Sequence, residues 1–471
     1  MNNQETQLAN IKKVLQGYRT NLAFRYIIAK LDTWEGEGIE KAYKLCEEEF
    51  KNWEPYYRIA PWSWKAGLVD DEAKPFWKFV SYIQGDPYRF YHECYDDGTY
   101  IRVSENIDKK IKSVPVIYGN KYYEKYRSLI KKDSILVKEN FDKKASYISL
   151  FKKERFKNAK KIEFENFNEL YPKCLEYLIT SLIETKIIEN LESLKFRSFS
   201  GHRSSLQAIS LLSSAKVEKL QELSLSFSLP DEYKKSIKIL SEANFPNLKN
   251  IDLSGGDLGD DGVLQLLNSS WIKRVEYIDL SYNEITQKGI EYLVKSNLPN
   301  LKQLNVSSNN ISTQGIQTLI HSNLAKNLWS LEINNNPYVD CKVDNNKFNI
   351  ELLLNEITIS GMNNLVELKM CNHYTIKYEK LPTTLAQKIA TSSSFVLLDT
   401  LFVGYIDWRD ACDGHGPLPC SLFDEEGLNI IKESKALRSS AKNELYILST
   451  FGNKNQNDDE YNDNDEDEDI E

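Results

Sequence analysis

The sequence predicts an α/β solenoid, with parallel strands inside and helices outside, preceded by a small, mostly helical α+β domain. The first observation is a pattern that returns every 26 to 28 residues between positions 248 and 339. The second is that each copy pairs a short stretch of alternating apolar and polar residues with a stretch of helical spacing. The third is length, because a copy this short cannot bury its own apolar side, so the copies must stack on one another.

Aligned residues place the strands and the turns of the repeat. Alternating apolar positions indicate a strand with one buried face, and an Asn at the following bend can hydrogen-bond backbone groups of adjacent turns that stacking buries. A column of glycine follows further along each copy. The columns are Ile251, Ile278, Leu304 and Leu331; Leu253, Leu280, Val306 and Ile333; Gly256, Asn283, Asn309 and Asn336; and Gly262, Gly289 and Gly315.

This pattern resembles leucine-rich repeats, and the N-x-I/L-x-x-x-G-I/V-x-x-L continuation resembles their ribonuclease-inhibitor-like class. The resemblance implies a horseshoe that binds another protein. Since helices are thicker than strands, the stack should curve with its strands on the concave side, lined by the polar residues that alternate with the core positions. The predicted partner-binding residues are Asn250, Asp252, Ser254, Tyr277, Asp279, Ser281, Gln303, Asn305, Ser307, Ser330, Glu332 and Asn334.

Weaker copies extend the array in both directions. They place Ile162, Leu194, Leu223, Leu368 and Leu401 in the first apolar column. The predicted organisation is an aromatic-rich α+β domain at 1–105, a basic helical connector at 106–158, the solenoid at 159–404, a C-terminal cap at 405–452 and an acidic, disordered tail at 453–471.

The N-terminal domain is predicted from helical periodicity and from a hairpin signal. Apolar residues keep near-helical spacing from Leu8 to Tyr26 and from Ile39 to Phe50, with a turn at Gly36–Gly38 between them. Alternation around Asp97-Gly98 predicts a β-hairpin. The crowded aromatic residues have two interpretations, a small-domain core or a pocket for a peptide or small ligand. The pocket would comprise Trp53, Tyr56, Trp62 and Trp64.

Charge is distributed unevenly along the chain. The net charge is −9, and residues 457–471 hold ten carboxylate side chains and no Lys or Arg, which leaves the remainder at +1. Residues 108–161 hold seventeen Lys and Arg against six Asp and Glu, a local balance of +11. With its interleaved aromatics, this segment could bind nucleic acid through phosphate neutralisation and base stacking, or it could be helices with a solvated Lys face.

No sequence motif predicts catalysis, a cofactor or a metal. Phosphate-loop, H-E-x-x-H, G-x-S-x-G and CxxC patterns are all missing. Cys412, His415 and Cys420 supply three of the four ligands that structural zinc needs. Because the N-terminus has no apolar signal core and no run of eighteen apolar residues occurs, we expect a cytoplasmic protein with no membrane contact. We also expect a monomer.

The sequence therefore predicts a non-enzymatic scaffold or adaptor for a protein partner. Repeats followed by an acidic tail also resemble the GTPase-activating protein of the Ran nuclear transport switch, although that family begins its repeats near the N-terminus. This resemblance implies an alternative function as a regulator of a small GTPase. Nucleic-acid binding through residues 108–161 is the other alternative.

Overall fold

The architecture is a single long sheet with a helical layer on one side and a helical unit at its edge. A computed structural model of the chain describes residues 3–34, 37–50, 52–53, 57, 90–95, 98–103, 134–137, 144–153, 156, 159–165, 174–199, 206–227, 233–336, 350–372, 381–406, 419–421, 423–434 and 437. Within these residues, eleven strands, β3 to β13, lie side by side in chain order, and a separate two-stranded hairpin precedes them.

The strands of the repeat are short and parallel, and only the last pair, β12 and β13, is antiparallel. The hairpin predicted near Asp97-Gly98 is confirmed, with Tyr95 paired to Gly98. The strands are β1 (Phe90–Tyr95), β2 (Gly98–Val103), β3 (Ser134–Val137), β4 (Lys161–Glu165), β5 (Ser193–Phe199), β6 (Glu222–Phe227), β7 (Asn250–Asp252), β8 (Tyr277–Asp279), β9 (Gln303–Asn305), β10 (Ser330–Glu332), β11 (Glu367–Asn372), β12 (Thr400–Ile406) and β13 (Pro419–Ser421).

A helix follows most strands and packs against the helix of the neighbouring repeat. None of the described helices has the length and apolar character needed to cross a lipid bilayer. The helices are α1 (Asn3–Leu15), α2 (Asn21–Asp32), α3 (Ile39–Phe50), α4 (Lys144–Phe151), α5 (Cys174–Glu184), α6 (Leu206–Ser214), α7 (Tyr233–Glu242), α8 (Gly259–Leu267), α9 (Gln287–Lys295), α10 (Thr313–Ile320), α11 (Ile350–Ile359), α12 (Thr383–Thr391) and α13 (Glu425–Glu433).

The predicted apolar columns are the core of the solenoid. Ile278 of β8 pairs with Ile251 on one side and with Leu304 on the other, and Leu331 continues the same register. These side chains are at most 2% exposed. Each copy therefore buries its apolar face only against its neighbours, which is why a sequence period is enough to define the stack.

The asparagine column closes the turn between strand and helix, as predicted. The Asn309 side-chain oxygen accepts hydrogen bonds from the backbone N–H groups of Asn283 and Ile285, both at 2.9 Å. Its side-chain nitrogen donates to the carbonyl of Leu280 at 2.9 Å and to that of Val306 at 3.0 Å. One buried amide thus pairs backbone groups of two successive copies that water cannot reach.

The glycine column marks where a helix start meets the preceding copy. A Cβ on Gly289 would lie 2.6 Å from an Asp260 carboxylate oxygen and 2.6 Å from a methyl group of Ile285. That oxygen accepts a hydrogen bond from the Gly289 N–H at 2.8 Å. Glycine is needed at this position because the Asp260 side chain of the neighbouring repeat occupies the space that a Cβ would fill.

Both ends of the sheet differ from the simple repeat. The sheet begins before position 159, because β3 pairs in parallel with β4 and places Ile135 beside Ile162. Strand β3 and helix α4 therefore belong to the solenoid, although residues 106–158 were predicted as a connector. At the other end, β13 turns antiparallel, and Phe423 and Ile431 close the same core.

Helices α1 to α3 form a compact unit, hereafter the helical unit. The predicted helix from Leu8 to Tyr26 is interrupted, because α2 starts anew after Thr20, whose hydroxyl accepts a hydrogen bond from the Ala23 N–H at 3.0 Å. Phe24 and Phe50 meet edge to face at its centre, with ring centroids 5.1 Å apart.

Candidate partner-binding surface

The helical unit covers one edge of the sheet, where the chain enters the strands from β8 to β12. We call this surface the strand-entry edge. Residues that begin a strand or lie up to three positions before one form it, and all of them are buried. The strand-entry edge comprises Tyr277, Trp329, Val366, Glu367, Leu397 and Asp399.

An aromatic stack holds the middle of this contact. Tyr26 lies flat on Trp329, with ring centroids 4.0 Å apart and planes 9° apart. The ammonium of Lys302 lies 5.2 Å from the Trp329 centroid, and the ammonium of Lys30 lies 5.4 Å from that of Tyr26. Stacked rings and cation–π contacts each add a favourable term beyond the burial of area.

A buried ion cluster holds one end. The Arg25 guanidinium donates to Asp399, with one contact at 2.9 Å, and to Glu367 at 3.2 Å. Lys369 also pairs with Glu367 at 3.3 Å. Burial by itself raises the pKa of Glu367, but Arg25 and Lys369 outweigh it and lower the pKa to about 2. Asp399 is fully buried, and Arg25 places an opposite charge beside it.

A hydrogen bond holds the other end. The hydroxyls of Thr20 and Tyr277 lie 2.6 Å apart, and Tyr18 meets the Tyr277 ring edge to face with centroids 5.7 Å apart. Burial is the main reason that the pKa of Tyr277 is raised. Tyr277 is therefore buried against the helical unit.

The central part of the predicted concave surface lies beyond the helical unit. Its third-position side chains form a row across the strands, which we call the inner polar row: Asp252, Asp279, Asn305, Glu332 and Lys369. Neighbours in the row are joined, by an Asn305 amide that donates to Asp279 at 2.8 Å and by a Lys369–Glu332 ion pair at 3.3 Å. The row is half-buried.

Two carboxylates of the row have a raised pKa. Burial raises the pKa of Asp279, and the neighbouring Asp252 raises it further, while hydrogen bonds from Ser281 and Asn305 oppose this. Burial also raises the pKa of Glu332, although Lys369 partly offsets it. Beside them lies a groove of about 190 Å³ lined by Lys195, Glu222, Asn250, Asp252, Asp279 and Gln303, among others.

The twelve predicted partner-binding residues divide into two groups. Four are buried: Tyr277, Ser281, Ser307 and Ser330, of which Ser330 is fully buried and donates to Glu367 at 3.0 Å. Ser281 is bound to Asp279, through its N–H at 2.8 Å and its hydroxyl at 2.6 Å. The other eight are half-buried: Asn250, Asp252, Ser254, Asp279, Gln303, Asn305, Glu332 and Asn334.

Tyr282, in the turn that follows β8, is an exposed residue that was not among those predicted from the sequence. Its side chain is 55% exposed, and its backbone is left-handed with φ +56°. The same turn position holds Gly255, Ser308 and Asn335, all with positive φ. A bulky residue is strained in this conformation, and the repeat alignment could have shown that an aromatic residue stands where the other copies have small ones.

Most residues of the predicted aromatic pocket and of the zinc candidate lie outside the described residues. Trp53 is buried in the helical unit, edge to face with Phe50 at 5.1 Å, whereas Tyr56, Trp62 and Trp64 lie outside the described residues. Of the zinc candidates, Cys412 and His415 also lie outside them. In the part of the chain that the structure describes, no three His, Cys, Asp or Glu side chains are grouped to hold a metal ion.

Comparisons with known proteins agree with the repeat. A family model described as leucine-rich repeat matches residues 275–294 and 297–319. No curated protein matches the chain. Solved structures that are similar include a protein from Bacteroides fragilis, with 14% identity and TM-score 0.37 over 68% of this chain and 88% of that one.

InlP of Listeria monocytogenes is similar at 17% identity and TM-score 0.26, over 47% of this chain and 58% of its own. A leucine-rich repeat protein from Bacteroides eggerthii has 14% identity and TM-score 0.22, over 86% of this chain and 67% of its own. The stack of registered strand–turn–helix copies, with the family-model match at its centre, shows that this part of the chain is built of leucine-rich repeats.

Proposed function

We propose that the protein is a non-enzymatic scaffold that binds a protein partner on the inner polar row and on the turn that follows β8. The observation that carries this proposal is the division of the concave surface. The chain's own helical unit covers the strand-entry edge, and the inner polar row is left half-buried beside a groove. Partner-binding residues should therefore be sought at the third strand position and in the following turn.

The chemistry of the row favours a partner segment that presents cations and amide donors. Asp279 and Asp252 repel each other in a partly desolvated place, and the hydrogen bonds that we describe for them come from neutral donors. A Lys or Arg from a partner would relieve that repulsion. Such a contact would speed association at low salt and weaken as salt is added.

Tyr282 supplies an aromatic anchor next to this charge. Exposed tyrosines are enriched among residues that dominate binding energy, since they bury a large area with few rotatable bonds. A left-handed backbone costs a non-glycine residue roughly 1–3 kcal/mol. We infer that the ring is retained at this strained position because it contacts the partner.

The test is affinity capture with four full-length baits. They are wild type, Tyr282→Asn, Asp279→Asn and, as a matched control on the outer helical layer, Lys238→Ala. Asn tolerates a left-handed backbone, so Tyr282→Asn should unfold at a higher urea concentration than wild type. Its affinity for the partner should nevertheless fall at least about ten-fold, the effect expected when a binding anchor is removed.

The proposal is supported if the same proteins are lost from the Tyr282→Asn and Asp279→Asn baits and kept by Lys238→Ala. It is refuted if all four baits capture the same set. Of the two alternatives predicted from the sequence, GTPase activation stays a prediction, and the basic segment 108–161, the candidate for nucleic-acid binding, lies largely outside the described residues.

A further inference from the structure

The helical unit and the solenoid have separate hydrophobic cores. The stacked columns form one cluster of buried residues, and the helical unit forms a second. Among the described residues, the solenoid contributes to the second cluster only through Tyr277, Trp329, Val366 and Leu397. None of these four belongs to the apolar columns that stack between repeats. The core of the solenoid is therefore complete without the helical unit.

The contact between them has the chemistry of a binding interface. Its main contacts are an aromatic stack, a buried ion cluster and a hydrogen bond between hydroxyls. Tyr18 adds an edge-to-face contact with Tyr277, and Tyr26 adds a hydrogen bond to Asn364. Central aromatic and arginine anchors of this kind dominate the energy of association between proteins. Interfaces between domains of one chain resemble those of transient complexes, which come apart without unfolding either partner.

All three anchors come from one short segment. Thr20, Arg25 and Tyr26 lie at the start and in the first half of α2. The chain between the helical unit and the solenoid is long, because residues 58–133 separate Tyr57 from β3. A tether keeps a ligand at a high local concentration, so even a modest contact is occupied most of the time.

We propose that the strand-entry edge is a helix-binding site that the chain's own α2 fills, and that the helical unit leaves it as a body while the solenoid stays folded. A competing partner would be an amphipathic helix that presents an arginine next to an aromatic residue. The arginine would replace Arg25 at Glu367 and Asp399, and the ring would replace Tyr26 on Trp329. This site is separate from the inner polar row.

Amide hydrogen exchange of the full-length chain tests the detachment. In wild type, α2 should exchange at least ~10-fold faster than β7 to β10, because the helical unit, once detached from the solenoid, can open its helices without global unfolding. Tyr26→Ala should speed exchange in α1 to α3 a further ~10-fold and leave β7 to β10 within about two-fold. Tyr26→Phe is the matched control, since it keeps the stack and loses only the 3.3 Å hydrogen bond to Asn364.

A common exchange rate for α2 and the sheet in wild type would overturn the proposal. So would equal acceleration of both by Tyr26→Ala, because the helical unit and the solenoid would then unfold as one body. A Tyr26→Ala variant that fails to fold would accelerate both equally and would therefore also count against the proposal.

Helix binding is tested with a synthetic peptide of residues 17–34 added to full-length Tyr26→Ala. The peptide should slow exchange around β10 to β12, and a peptide carrying Arg25→Glu should not. Absence of protection by the unmodified peptide at millimolar concentration would overturn the helix-binding assignment. Binding of both peptides equally would overturn the role of the arginine.

Discussion

Replacing Arg25 by leucine removes the only partner that we describe for the buried Asp399 side chain. In the native protein Arg25 donates to both Asp399 and Glu367 while all three are buried. Glu367 keeps its ion pair with Lys369, so the unpaired charge in the variant is mainly that of Asp399. Removing one member of a buried ion pair costs roughly 3–5 kcal/mol. We expect Arg25→Leu to lower the free energy of unfolding by this amount at pH 7.

Urea unfolding followed by circular dichroism measures this loss. The matched control is Arg19→Leu, the same change at an exposed arginine that donates to the Asn52 carbonyl at 2.8 Å. It should cost about 1 kcal/mol or less, as surface substitutions do. The double variant Arg25→Leu with Asp399→Leu should recover most of the stability, because no buried charge is then left unpaired.

The pH dependence gives a second, independent check. Burial raises the pKa of Glu367, but Arg25 and then Lys369 lower it to about 2. Such a carboxylate contributes stability that is complete above its unfolded pKa of about 4.3 and is lost as pH falls toward 2. Without Arg25 the pKa is lowered less, so the advantage of wild type over Arg25→Leu should shrink as pH falls from 5 to 3.

Two results would refute this reasoning. One is a loss at pH 7 no larger than that of Arg19→Leu, which would mean that the carboxylates do not depend on the arginine. The other is a difference between wild type and Arg25→Leu that stays constant from pH 7 to pH 3, which would mean that the loss comes from packing and not from charge.

Three further predictions concern the repeat. Asn309→Ala should cost roughly 3 kcal/mol, since it leaves buried backbone groups unpaired, whereas exposed Asn300→Ala should cost far less; equal urea midpoints would contradict this. Gly289→Ala should lower the free energy of unfolding by roughly 1–3 kcal/mol through overpacking against the neighbouring repeat. An unchanged urea midpoint would show that the neighbouring side chains move to accommodate the methyl group. Asp252→Asn should lower the pKa of Asp279, measured by carbon NMR of labelled aspartate, because it removes a repelling charge; an unchanged titration would exclude their coupling.

The sequence by itself determined the solenoid. Every contact that builds it joins one copy to the next, so the alignment that places Ile278 beside Leu304 in the sequence also places them side by side in the sheet. The asparagine ladder follows from the same period, because Asn309 reaches the turn of the preceding copy. Nearest-neighbour packing turns a linear repeat directly into a structure.

The start of the array was missed, although Ile135, Val137 and Asn140 keep the spacing of the two apolar columns and of the asparagine column. Tyr282 was also missed. Its exposure and left-handed backbone depend on the shape of the turn, and residue type alone does not show them.

Only the tertiary structure decided which part of the concave surface is open. Arg25 and Asp399 are 374 positions apart, and no repeat or local preference links them. The helical unit finds its place through side-chain complementarity, with Tyr26 against Trp329 and Thr20 against Tyr277. Such pairing carries no period along the chain, so Tyr277 looks like a binding residue in the sequence and is buried in the fold.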